Sequence, residues 1–157
     1  MKHTHLQQGF TLLLAVLVSS ILLAIGGALL NIALRQISLS STGRDSHFAF
    51  YAADTGGECA LYWDFKNGSG TSAFLSNSSI TCAASPTMSI TPALSSDANN
   101  QYLTSAFTFT MTPNPYCASV IVVKNLTTAT TSIDSRGYNT CDTSDPRRTE
   151  RALRIKY

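Results

Sequence analysis

Residues 9–34 read GFTLLLAVLVSSILLAIGGALLNIAL, and from Phe10 to Leu34 the 25-residue run is interrupted only by Thr11, Ser19, Ser20, Gly26, Gly27 and Asn31. About 20 apolar residues suffice to cross a bilayer as a helix, so the run is long enough. No Lys, Arg, Asp or Glu occurs between Lys2 and Arg35. A cleaved secretory signal would carry an apolar region of about 7–15 residues and a small-x-small cleavage site. This run is longer, and no such site separates it cleanly from the helical stretch beyond. A plain signal anchor would carry more positive charge on its inner side. Here Lys2 stands alone there, while Arg35 and Arg44 flank the other end.

Outside the run the chain changes character. Of 157 residues, 44% are hydrophobic and 13% charged, with a formal net charge of +2. The usual charged share is about 25%. The length allows one modest domain plus an appendage. Ser and Thr together number 39, nearly all of them beyond the apolar run. Histidine occurs only at positions 3, 5 and 47. His is the usual general base near neutral pH, so a Ser-His-Asp or Cys-His enzyme would rest on His47 alone once the first residues are removed. An enzyme is therefore not expected. The four cysteines, Cys59, Cys82, Cys117 and Cys141, all follow the apolar run, and no CxxC occurs. Wide, even cysteines in an exported part read as two disulfides. A four-cysteine zinc site is the competing reading, but structural zinc sites normally use closely spaced ligand pairs.

The junction MKHTHLQQG–FTLLLA explains what a signal peptide and a plain anchor leave open. A short polar leader ending in Gly9, then Phe-Thr-Leu at 10–12, then about 20 apolar residues closely resembles a type IV prepilin. The resemblance covers about residues 9–63. It implies a leader over 1–9, cut after Gly9 by a prepilin peptidase that methylates the new N-terminal Phe10. It also implies a helix that holds the subunit in the inner membrane and later packs in a helical filament with other pilin subunits. Pilins usually carry Glu at the fifth mature position, and here that place is Leu14. A mature N-terminal amine is positive and sits on the positive end of its own helix dipole. Buried among apolar helices it needs a carboxylate nearby. Leu14 offers none, which resembles the minor subunits at filament tips. The bland reading is that this lineage tolerates Leu14 in any subunit. The stretch FYAADTGGECAL at 50–61 is similar to the Ala-Ala-Glu-Ala-Gly region of PilX-like minor pilins, with Asp54 in the acidic place.

Beyond Arg35 no proline intervenes before position 64, and Phe48, Ala52, Thr55, Gly56, Cys59, Ala60 and Trp63 recur near a 3.6-residue period. The spacing predicts one helix over 10–64, its membrane half at 10–34. Gly43, Gly56 and Gly57 weaken it, by about 1 kcal/mol each relative to Ala. Gly26 and Gly27 are bend points or sites of close helix packing. Residues 65–104 show little periodicity. Three strand-like runs follow: Phe107, Phe109 and Met111 alternating with threonines, the most apolar CASVIVVK at 117–124 as the central strand, and TTSID at 130–134 after a turn at 125–129. Leu153, Ile155 and Tyr157, alternating with Arg154 and Lys156, read as a closing strand. The expected fold is α+β and pilin-like: a long N-terminal helix packed on a small antiparallel sheet, with a disulfide-stapled Ser/Thr-rich head at 65–157.

Among three connectivities the favoured pairing is Cys59 with Cys82, fastening the loop to the helix, and Cys117 with Cys141, joining a strand start to the end of its partner. Asp142 and Asp145 fall short of the 6–8 oxygen ligands that Ca²⁺ takes, so no metal or other cofactor is expected. The cluster Arg147, Arg148, Arg151, Arg154 and Lys156 reads mainly as the solvated face of an edge strand. Without aromatic stacking platforms it does not point to nucleic acid. The function expected is a minor subunit, at the tip or initiating, of a type IV pilus-like filament. It would reside in the inner membrane before assembly, then in an extracellular pilus or periplasmic pseudopilus, where a surface or host ligand is a further partner. The alternatives are a type II secretion pseudopilin and a monomeric membrane-anchored binding module.

Overall fold

The computed structural model describes residues 8–65, 71–113 and 115–157. Helix α1 runs over Gln8–Phe65. The strands are β1 (Ser78–Ile80), β2 (Met88–Ile90), β3 (Ala93–Ser96), β4 (Gln101–Thr110), β5 (Cys117–Asn125), β6 (Thr130–Tyr138) and β7 (Glu150–Lys156). β1 and β2 form a two-stranded ribbon, and the others a five-stranded sheet in the order β3-β4-β5-β6-β7, antiparallel throughout. The α+β layout expected from the sequence is what the chain adopts. The CASVIVVK strand lies at the middle of the larger sheet.

Two compact units divide at Ser41 and Thr42. The last part of α1, 42–65, therefore belongs with the head, so the head's own unit begins well before position 65. The cause lies in a stripe of small residues. Ala49, Ala52, Ala53 and Ala60 are completely buried or nearly so. With Gly56 and Gly57 they recur at helical spacing, so one face of this part of α1 has almost no side-chain bulk. The sheet comes up to that face. A Cβ on Gly137 of β6 would collide with the carbonyl oxygen of Ala49 and the amide nitrogen of Ala53. A Cβ on Gly56 would collide with Ser135 Oγ and lie 2.9 Å from Val120 Cγ2. The same approach lets Ser135 Oγ donate to the Ala53 carbonyl at 2.6 Å.

The remainder of the core lies under β4, β5 and β6. Period-2 alternation sends Phe107, Phe109, Ala118, Val120, Val122 and Ile133 inward, where they are buried. Phe74, Ile80 and Ile90 are also buried, with Phe74 stacked on Phe107 at 6.1 Å between ring centroids. Thus the apparently featureless 65–104 contributes five core side chains, Ala73 and Cys82 besides these three, and the strands β1 to β3. Strands of three or four residues are too short to display alternation, and β3 is exposed along its whole length. The segment is fastened to α1 by the Cys59–Cys82 disulfide, with Cα atoms 5.8 Å apart. Trp63 Nε1 also donates to the Thr81 carbonyl at 3.0 Å. A closed loop of this size contributes about 3 kcal/mol in the chain-entropy account.

Two glycine substitutions separate close approach from helix propensity. Gly137→Ala forces a methyl into the α1 backbone and is expected to destabilise the head by at least about 2 kcal/mol. Gly43→Ala meets nothing within 4 Å and should leave stability unchanged or raise it by up to about 1 kcal/mol through helix propensity. Urea titrations followed by Trp63 fluorescence measure both.

Candidate functional site

The apolar half of α1 is exposed on every side. Phe10, Leu12, Leu13, Leu14, Val18, Leu22 and Leu23, spread around the helix, are all exposed within this chain. It is the one helix among the described residues long and apolar enough to cross a membrane, with a mean hydropathy of 2.6 over its best window. Its hydroxyls suit that setting. Ser19 Oγ donates to the Val16 carbonyl at 3.0 Å and Ser20 Oγ to that of Leu17 at 2.8 Å, so neither group needs water. No neighbouring side chain lies within 4 Å of a Cβ built on Gly26 or Gly27. The packing positions expected from the sequence, Leu14, Gly26 and Gly27, are thus open in this chain. Positions 1–7 of the expected leader lie outside the described residues. α1 already includes Gly9 and Phe10, the expected cleavage junction.

At the other end of α1, Asp64 gathers a polar knot that sequence reasoning missed. Its carboxylate, 3% exposed, lies 2.8 Å from Lys124 Nζ. It accepts from Tyr157 Oη at 2.6 Å and from Ser72 Oγ. Lys124 Nζ also donates to Thr131 Oγ1 at 3.1 Å. Helix, loop, central strand and chain end therefore meet on one carboxylate. Burial alone would raise the Asp64 carboxyl, but hydrogen bonds from Lys124, Ser72 and Tyr157 outweigh it and hold the group below its ordinary value. Burial and the hydrogen bond to Asp64 push the Tyr157 phenol up. The sequence did carry a signal: Lys124 stands at the inward parity of Ala118, Val120 and Val122, where a cation needs a buried partner.

The second expected disulfide is a correction. Cys117 and Cys141 are brought together on one cleft but stand as free, half-buried thiols. Cys141 Sγ also donates to the Pro115 carbonyl at 3.3 Å. Burial, and then Cys141, push the Cys117 thiol up to about 12. A thiol held protonated in this way is a poor nucleophile. Both line a cleft of about 380 Å³ with Thr108, Thr110, Tyr138 and Arg148. The Arg148 guanidinium sits 3.8 Å above the Tyr138 ring.

The remaining polar candidates hold local structure. Asp142 Oδ1 accepts from the amide and the hydroxyl of Ser144, and Asp145 Oδ1 from the Arg147 amide. Both act as turn-formers. Of the basic cluster, Arg154 pairs with Asp134 and Arg151 Nε donates to Ser46 Oγ at 2.8 Å. Arg154 and Lys156 face outward on β7, the edge strand, as expected. His47 is exposed.

No protein-family model, curated protein or solved structure matches this chain.

The Asp64 knot has a defined pH signature. A carboxyl held below its unfolded value of about 3.9 contributes stability that is present above that pH. The contribution is lost as pH falls through the lower folded value. Asp64→Asn should therefore be less stable than wild type at pH 7, with the difference shrinking toward zero below about pH 4. Lys124→Met leaves the carboxylate unpaired and should lower stability at pH 7 by about 3 kcal/mol. Denaturant midpoints across pH 2–7 check both.

Proposed function

We propose that this protein is a minor subunit, at the tip or initiating, of a type IV pilus-like filament. The observation that carries the reading is the build of α1. A wholly exposed apolar stretch that follows a Gly9–Phe10 junction continues within one helix into the small-residue face that buries the head's sheet. An anchor that served only to tether a domain would not need to enter that domain's core. In this reading the prepilin peptidase cuts after Gly9 and methylates Phe10, and the subunit waits in the inner membrane through residues 10–34. Leu14, Gly26 and Gly27, uncovered by this chain, then meet the helices of other pilin subunits. No nucleic acid, cofactor or catalytic role enters.

Leu14 sets the place in the filament. The mature amine is positive and gains no relief from its own helix dipole. In a filament built only of this chain, each buried amine would face an apolar Leu14 where a carboxylate is needed. An unpaired buried charge destabilises by several kcal/mol, and the defect would recur at every subunit. A single copy with no subunit above it avoids the defect.

Mass spectrometry of the mature chain should find a methylated Phe10 at the N-terminus. An intact Met1 on the membrane-inserted protein would overturn the reading. In sheared filaments this protein should be a trace component confined to fibre ends by immunogold labelling. Labels along the whole fibre would refute the tip or initiating place while leaving the subunit reading standing.

A further inference from the structure

The face of α1 that turns away from the sheet is not an ordinary solvated surface. Phe50, Tyr51, Asp54, Glu58 and Tyr62 recur there at helical spacing, all exposed. Tyr51 is 61% and Tyr62 54% exposed, and no Lys or Arg occurs on the helix from position 45 to 65. Among the described residues neither Asp54 nor Glu58 has an ion-pair or hydrogen-bond partner. A helix face meant for water alternates charges of both signs. This one carries two uncompensated carboxylates between exposed rings at either end, and exposed apolar surface with no partner of its own chain marks an interaction surface.

The two residue classes ask for the same partner. A carboxylate takes a guanidinium in paired hydrogen bonds, and an aromatic face takes it by cation–π attraction. The chain shows the second geometry itself, with Arg148 at 3.8 Å over the Tyr138 ring. Two bare carboxylates repel an anionic lipid surface or a nucleic-acid backbone, which leaves a protein surface. A second copy is the poorer fit, because the head's arginines are largely engaged. Arg136 pairs with Glu150 and Arg154 with Asp134, Arg148 covers Tyr138, and Arg151 binds Ser46.

We infer that the Tyr51–Asp54–Glu58–Tyr62 face of α1 docks on an arginine-bearing surface of a different protein chain. The inference deepens the filament reading, and rests on it in taking that chain to be a neighbouring subunit. The test is in-cell photo-crosslinking of the full chain carrying Tyr62→benzoylphenylalanine, with adducts identified by mass spectrometry. The expected adduct joins Tyr62 to one other protein at a peptide containing arginine. Asp54→Lys with Glu58→Lys should cut its yield about tenfold or more. Both positions are exposed, and an intact Cys59–Cys82 bridge in peptide mapping verifies that the variant is folded. Replacing the partner's cross-linked arginines by Glu should restore the yield in that variant. Adducts only with lipid or with a second copy, no adduct, or a yield indifferent to the charge reversal would each overturn the proposal. The N-terminus is read in the same sample. A methylated Phe10 without the adduct refutes the docking face alone, and an intact Met1 with the adduct refutes the filament alone.

Discussion

The head depends on one close approach, that of the α1 backbone to strand β6. Gly137 lies so near the peptide groups of Ala49 and Ala53 that a single methyl has no room, and Ser135 spans the same gap to the Ala53 carbonyl. Backbones meet at such a distance only where side chains vanish on both sides. On the helix this requires Ala49, Ala52, Ala53, Gly56, Gly57 and Ala60, and on the sheet Ala118, Ser135 and Gly137. Glycine is a poor helix former, by about 1 kcal/mol relative to Ala. Gly56 and Gly57 are tolerated because packing, not propensity, decides this stretch of helix. The larger side chains gain their room elsewhere, under the phenylalanines of β4 and the ribbon of β1 and β2.

That approach also explains how a loop-rich segment is held. With the helix pressed on β5 and β6, residues 71–96 have only one side of the core left to cover. They do so with Phe74, Ile80 and Ile90 and are tied back to α1 by Cys59–Cys82 and by the Trp63 indole. The Asp64 knot secures the same end of the helix from the opposite direction, through Lys124 of the central strand and Tyr157 beyond the last one. A buried ion pair of this sort offers little net stability against a well-packed apolar substitute. What it supplies is position: the carboxylate is satisfied only when the helix end, β5 and residue 157 are all in register.

Legibility in the sequence followed the length of each pattern. The helix was readable because 25 residues of almost unbroken apolar character and a 3.6-residue period extend over many turns. β4 and β7 were readable because each repeats its alternation three times, β5 because it is the most apolar run, and β6 because it follows a turn. β1 to β3 were not, since three or four residues give period 2 no room to repeat, and Ser and Thr occupy both faces. The Cys59–Cys82 pairing followed from the need to fasten a long loop to a helix. Placing Cys117 near Cys141 followed from strand ends, and the structure brings the two together as free thiols. The knot at Asp64 was hidden because Lys124 and Tyr157 lie 60 and 93 residues from it along the chain. Only the inward parity of Lys124 hinted at it.

Helix α1 is thus one periodic structure written for several surroundings. From Phe10 to Leu34 its side chains are nearly all apolar in every direction, which suits a solvent that is itself apolar and has no preferred side. From Ala49 onward one face shrinks to alanine and glycine, because a sheet lies against it. The opposite face keeps its bulk but turns to rings and carboxylates. A helix whose far side met only water would gain nothing from Tyr51 and Tyr62 there, since exposed rings order water without burying area. Rings and unpaired carboxylates interleaved on one face describe a surface suited to a cationic partner, while the apolar residues before them describe one suited to lipid or to other apolar helices. The surface of rings and carboxylates lies on the part of α1 that also forms the wall of the head's core, so whatever binds there binds where the head has least room to move.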